Sequence, residues 1–312
     1  EFDIAQQHLD RATVLAVQAR ERMEQPKDDS YEVQMLLIQA EIEQRSGQYT
    51  ARAGTVQRAL ALAKGMNNPR LECICHEAAA LAAMDEADWM RSAAYLDASE
   101  RVATEFELVL ALANAQGLSG RLHLTCGRWD DAARASNAAR DSYRAMGFVT
   151  GVQRELASVA EAFWRGGRSD EAVQLWRENA AGLAQQGDDV GARCARLRLA
   201  EARAASGGAD DLDAALQAVR AELPAMAQIG TLSGTYGLAA RLAAWRVLRQ
   251  GGDSQAPVQA SAQLALAAAE LKQDLQGFAD SEVRARVSRE VPWNRDVVEA
   301  VAQTKAAGSD VA

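Results

Sequence analysis

The sequence predicts an all-α fold, a right-handed α–α superhelix built as a solenoid of about six helix hairpins. Three observations carry this. A glycine-centred pattern returns about every 40 residues along the chain. The composition is that of helices, rich in alanine with leucine, glutamate, arginine and glutamine, residues that lose little entropy in a helix. No stretch alternates with period two, so nothing reads as a strand.

The repeat is read first at Gly47-Gln48-Tyr49. It returns as Ala87-Asp88-Trp89, Gly127-Arg128-Trp129 and Gly167-Arg168-Ser169. A weaker copy stands at Gly207-Gly208, and after an insertion of about four residues another stands at Gly251-Gly252-Asp253. Seven residues ahead of each glycine position is a small residue: Ala40, Ala80, Gly120, Ala160, Ala200 and Ala244. Glycine in the left-handed conformation ends a helix without a Cβ penalty. The aromatic two residues on wedges the corner of the hairpin, and the small residue lets the two helices approach.

A second set of breaks separates the hairpins. Gly65-Met66-Asn67-Asn68-Pro69 closes one unit and opens the next, with Asn68 as N-cap and Pro69 at the first helical position. Gly147, Gly187 and Gly230 mark the same boundary further on. The expected order is a leading helix over residues 3–24 and a polar loop at 25–30. Hairpins follow at about 31–65, 69–104, 107–146, 148–186, 188–229 and 231–274. A closing helix at 277–290 and a short one after Pro292 complete the map, and residues 306–312 read as a frayed end. In domain terms, 1–30 is a leading cap, 31–274 the hairpin array, and 275–312 the closing cap and tail. Pro224 is expected to kink or end the second helix of the fifth hairpin.

Net charge is −9, which argues against non-specific binding to nucleic acid, where lysine and arginine must displace counterions. No apolar run is long enough to span a membrane. Four scattered cysteines (Cys73, Cys75, Cys126, Cys194) suit a reducing cytoplasm. The chain opens on Glu1-Phe2 and not on methionine, which reads as a piece of a longer protein whose effector or sensor domain lies elsewhere.

At Gly120, Gly127, Trp129, Ala132 and Ala139 the chain resembles the tetratricopeptide repeat family. The next unit keeps Ala160, Gly167, Ala172 and Trp176 but carries Ser169 and Asn179; the first carries Arg52 where the family prefers alanine. The family's usual repeat is about 34 residues. The longer spacing resembles the long-helix variant of bacterial signalling proteins and kinesin light chains. The segment from Arg286 to Arg295 resembles the end of repeat arrays in large bacterial regulators.

The resemblance implies a concave face lined by the first helix of each hairpin. Its inward positions carry over to Glu41, Arg45, Glu77, Asp85, Asn114, Arg121, Arg154, Glu161, Trp164, Arg165, Glu201, Trp245 and Arg249. Arginine and tryptophan are the types that anchor interfaces. The implied function is non-catalytic: a groove for a peptide, a partner helix or another domain of the same full-length protein. The bland alternative is a solvated helix face with tryptophans packing between units. A second function class is self-association through the alanine-rich faces near residues 256–270.

Trp89, Trp129 and Trp176 are expected in hairpin cores, and Trp293 at the end of the array. Cys73-Ile74-Cys75-His76 lacks zinc spacing, because residues i and i+2 of a helix face different ways. The three histidines, His8, His76 and His123, stand in no glycine-rich turn, and no phosphate loop is present. Neither a cofactor nor a metal is expected, and no catalytic residue is assigned.

Overall fold

Turns at strictly even spacing organise the structure, a computed structural model that describes residues 29–228 and 235–306. Backbone φ is positive at Gly47, Asn67, Ala87, Glu107, Gly127, Gly147, Gly167, Gly187 and Gly207, one residue in every 20. At most of them a pair of bonds closes the helix: Gly47 N–H donates to Gln44 O (3.0 Å) and Gln48 N–H to Glu43 O (2.7 Å). This is the Schellman arrangement, which needs a left-handed residue at the turn. Three-residue turns of this kind join helices about 25 Å long.

The described helices are α1 (Asp29–Arg45), α2 (Tyr49–Ala63), α3 (Pro69–Asp85), α4 (Trp89–Glu105), α5 (Val109–Thr125), α6 (Trp129–Ala145) and α7 (Val149–Arg165). They continue as α8 (Ser169–Gln185), α9 (Asp189–Ser206), α10 (Ala209–Gln228), α11 (Thr235–Leu248), α12 (Ala256–Gln276), α13 (Ser281–Glu290) and α14 (Pro292–Ala306). Among the described residues there is no strand, and the chain is an all-α solenoid of helix hairpins. No described helix is long and apolar enough to cross a membrane. Asn68 caps α3 by accepting from Leu71 N–H (3.1 Å), with Pro69 at the first position as the sequence predicts. Pro224 does not end α10, which runs one further turn to Gln228. The leading helix expected over 3–24, the boundary at Gly230 and the tail beyond 306 lie outside the described residues.

The left-handed position between the first two hairpins falls on Asn67 and not on Gly65. Asparagine tolerates that conformation by bonding locally. Glu107 takes the next boundary with no glycine to mark it.

The chain divides into two compact units, each described by itself. Unit 1 holds residues up to 122 together with 274–287. Its core joins Val33, Leu36 and Ala40 of α1 to Val56, Ala59 and Leu60 of α2 and to Leu71, Cys75 and Ala79 of α3. Trp89 packs, half-buried, on a second cluster of Ala80, Met84, Leu96 and Leu122. Arg52, the departure from the family's alanine, is buried and ion-paired to Asp85. The segment after α12 clasps the first hairpin within this unit. Gly277 lies so close that a Cβ there would sit 1.7 Å from Gly47 O, Phe278 stacks on Tyr49 (centroids 4.6 Å), and Ala279 N–H donates to Thr50 Oγ1 (3.0 Å).

Unit 2 holds residues 123–273 and those from 288 onward. Ala157, Ala160, Ala172, Trp176, Ala180, Ala195 and Ala202 make its main cluster, where α7, α8 and α9 approach closely over alanine. Trp129 packs on Leu124, Ala132 and Val159. Asn179, a second departure from the family's alanine, is buried and donates to Gln153 O (2.8 Å) and Gln153 Oε1 (3.0 Å).

Candidate binding site

In unit 2 the first helices of three successive hairpins, α7, α9 and α11, present charged side chains to one another and to α14. Glu161 and Arg165 stand one turn apart on α7, with Arg165 Nε donating to Glu161 Oε1 at 2.9 Å. Arg198 and Glu201 stand i, i+3 on α9 and pair with each other, and Arg198 also pairs with Glu161. Arg246 of α11 donates from Nη1 to Glu201 Oε1 (2.7 Å). Asp296 of α14 closes the circuit, its Oδ2 accepting from Arg165 Nη2 (2.9 Å) and Arg246 Nη2 (3.0 Å). The result is a ring of alternating sign: Asp296, Arg165, Glu161, Arg198, Glu201, Arg246 and back to Asp296. Three carboxylates balance three guanidiniums.

The ring is largely shielded from water. Glu161, Arg198 and Glu201 are buried, while Arg165 and Arg246 keep side-chain exposures of 15% and 31%. Burial alone raises a carboxyl, but Arg198 and Arg165 overcome it and hold Glu161 below the usual range. Burial alone lowers a guanidinium, yet Glu161 and Asp296 hold Arg165 above its ordinary value, and Glu201 and Asp296 do the same for Arg246. Glu161, Arg165 and Arg246 therefore stay charged at neutral pH.

α14 meets this face with a helical stripe. Trp293, Val297 and Ala300, at i, i+4 and i+7, are buried, and α14 packs against α11. Asp296 lies on the same stripe, and Arg165 sits over the Trp293 ring at 5.9 Å. Pro292 at the first helical position starts the helix without wasting a backbone donor.

The structure thus brings Glu161, Arg165 and Glu201 together, and adds Arg198, Arg246 and Asp296, which the sequence reading did not select. Two signals were available: Glu161 and Glu201 are 40 residues apart, and Arg198 lies one turn before Glu201. The insertion before α11 hides Arg246, because it shifts the register by an amount the sequence does not fix. Trp245, selected instead, is buried beside it, with exposed Arg249 4.8 Å over its ring. Trp164 packs, half-buried, on the α7–α9 cluster. Arg154 turns away toward α6, donating to Tyr143 Oη (2.7 Å) and to Glu155 Oε1 (2.9 Å).

In unit 1 the remaining selected residues form separate contacts. Glu41 and Arg45 pair with each other at the surface (2.7 Å). Glu77 accepts from Asn114 Nδ2 (3.3 Å) and Ser99 Oγ (3.5 Å). Burial raises Asp85, against the opposing pull of Arg52 and Arg121.

The three buried cysteines, Cys73, Cys75 and Cys194, show no reactive setting. Cys73 packs with Ala103 and Ala111, whereas Cys75 faces the α1–α3 core, so the two thiols belong to different cores. Burial pushes Cys75 up to about 12 and Cys194 up to about 11, which keeps both protonated at neutral pH. Burial likewise lowers His76.

No protein-family model and no curated protein matches the chain. Among solved structures it is similar to a Rap protein complexed with competence and sporulation factor. The TM-score is 0.63 at 15% identity, over 89% of this chain and 74% of that one. The fold is a tetratricopeptide-like helical repeat. At this identity the likeness speaks to the fold alone.

Proposed function

We propose that the chain is a non-catalytic interaction module of a bacterial cytoplasmic signalling or regulatory protein. It takes a peptide, a partner helix or another domain of its full-length chain along the first-helix faces of its hairpins. The observation that carries this reading is α14 itself: an amphipathic helix seated on the first-helix face of unit 2 by one aromatic, two small apolar anchors and a charge pair. Helix-in-groove recognition uses this i, i+4, i+7 spacing. The Rap protein of like fold was solved in a complex, which adds support. The 40-residue spacing supports a long-helix variant of the repeat.

The test is affinity capture from lysate of the source organism, with the captured protein then purified and titrated by calorimetry. Arg165→Glu is expected to weaken binding at least tenfold. Unchanged affinity would place the contact elsewhere and overturn the reading.

Self-association is favoured by a separate feature, an exposed apolar stripe on α12. Val258 and Leu266 are 70% and 43% exposed, with Ala262 and Ala269 exposed on the same side. A dimer by light scattering that Leu266→Glu dissociates would support this second reading.

A further inference from the structure

We infer that the face of unit 2 formed by Arg165 and Arg246 is a receptor for a helical segment carrying an aromatic residue and, three positions later, a carboxylate, and that α14 is its resident occupant. The inference rests on the proposed function above and names the chemistry of the partner.

The charge count supports it. With α14 in place the ring is neutral; without it, three guanidiniums face two carboxylates, and the vacancy lies between Arg165 and Arg246. Those two cations converge on one carboxylate oxygen at 2.9 and 3.0 Å, a geometry selective for a carboxyl group. They are also the ring members from the array that solvent reaches, so an incoming acid can meet them. A buried ion pair adds little net stability over an apolar contact, because desolvation offsets attraction, but it rejects a wrong partner strongly. Trp293, Val297 and Ala300 are the buried apolar anchors of the seated helix, so an exchanging segment must supply an aromatic in the Trp293 position.

Loss of Asp296 leaves Arg165 with Glu161 and Arg246 with Glu201, so the array keeps its internal pairs. The experiment therefore uses the full chain carrying Asp296→Ala, or Asp296→Asn as a second variant. A fluorescein-labelled peptide of residues 292–306 is the probe, read by anisotropy. Hydrogen exchange of the α14 amides is followed in parallel. The expected result is fast exchange of α14 in the variant and at least tenfold tighter uptake of the peptide than by the wild-type chain. A peptide with asparagine in place of its own aspartate is expected to bind at least tenfold more weakly. Equal binding of the two peptides overturns carboxylate recognition while leaving the face a helix-binding surface. Slow exchange of α14 in both variants also overturns the inference, because Asp296 then does not hold the helix. Binding of neither peptide to a variant whose α14 exchanges fast overturns both this inference and the helix-binding reading.

Discussion

Replacing Arg198 by methionine keeps most of the apolar stem and deletes the charge that separates Glu161 from Glu201. Each carboxylate–guanidinium contact at about 4 Å is worth roughly 4 kcal/mol at an effective dielectric near 20, so about 8 kcal/mol of gross attraction is lost. Against this stands the cost of keeping a guanidinium dehydrated at 4% exposure, several kcal/mol per ion. The net destabilisation expected is about 3–5 kcal/mol at neutral pH, the range found when one member of a buried pair is removed. The penalty is also pH-dependent. In the wild type Arg198 and Arg165 together hold Glu161 below its ordinary value, so its contribution is present above the unfolded carboxyl pKa and is lost only in strong acid. Without Arg198, Glu161 keeps only Arg165 against its burial, so its carboxyl takes up a proton at a higher pH than in the wild type. The loss measured by urea unfolding should therefore be smaller at pH 5 than at pH 7.5. Addition of Glu161→Gln and Glu201→Gln should restore part of it. A loss below about 1 kcal/mol at pH 7.5, or the same loss at both pH values, would refute the picture of a shielded, mutually dependent ring.

Other consequences follow from single positions in unit 1. Glu107 holds φ 53° at an exposed turn, so Glu107→Gly should raise stability by about 0.5–1 kcal/mol in urea unfolding. Ala87→Gly should be near neutral, because relief of φ 54° is offset by losing a buried methyl worth about 0.8 kcal/mol. Asp274 is pushed up to about 6 by burial, so its folded pKa exceeds its unfolded one. Stability tied to the protonated form is full at acid pH and falls as pH rises through about 6. Asp274→Asn should then raise the melting temperature at pH 8 and leave it little changed at pH 4; an equal rise at both would reject this assignment. Gly277→Ala drives a methyl into the Gly47 carbonyl and should cost about 2 kcal/mol or more, with faster proteolysis around residues 277–280. Wild-type resistance to protease in that variant would show that the clasp has room to shift.

The sequence by itself determined the hairpin and its repeat. Local chemistry sufficed: a left-handed residue closes each helix from α1 to α9, Asn68 and Pro69 open α3, and alanine at 40-residue spacing sets how closely the helices pack. The first two are interactions between residues within a turn or two of one another, so their signature stays in one stretch of chain. Even there Glu107 escaped notice, because its neighbours and not its own preference impose the conformation. Glu161, Arg165 and Glu201 could be placed on one face by the inward positions that the resemblance to the repeat family implies. Tertiary structure decided what that face holds. Asp296 is 50 residues from Arg246 and farther still from Arg165, and nothing in the local pattern of α14 says where its carboxylate lands. The same is true of Phe278 on Tyr49 and of Arg52 on Asp85. A charge on a helix reads the same in sequence whether it meets water or a buried partner. Only the packing of distant helices removes the water and makes the pairing compulsory.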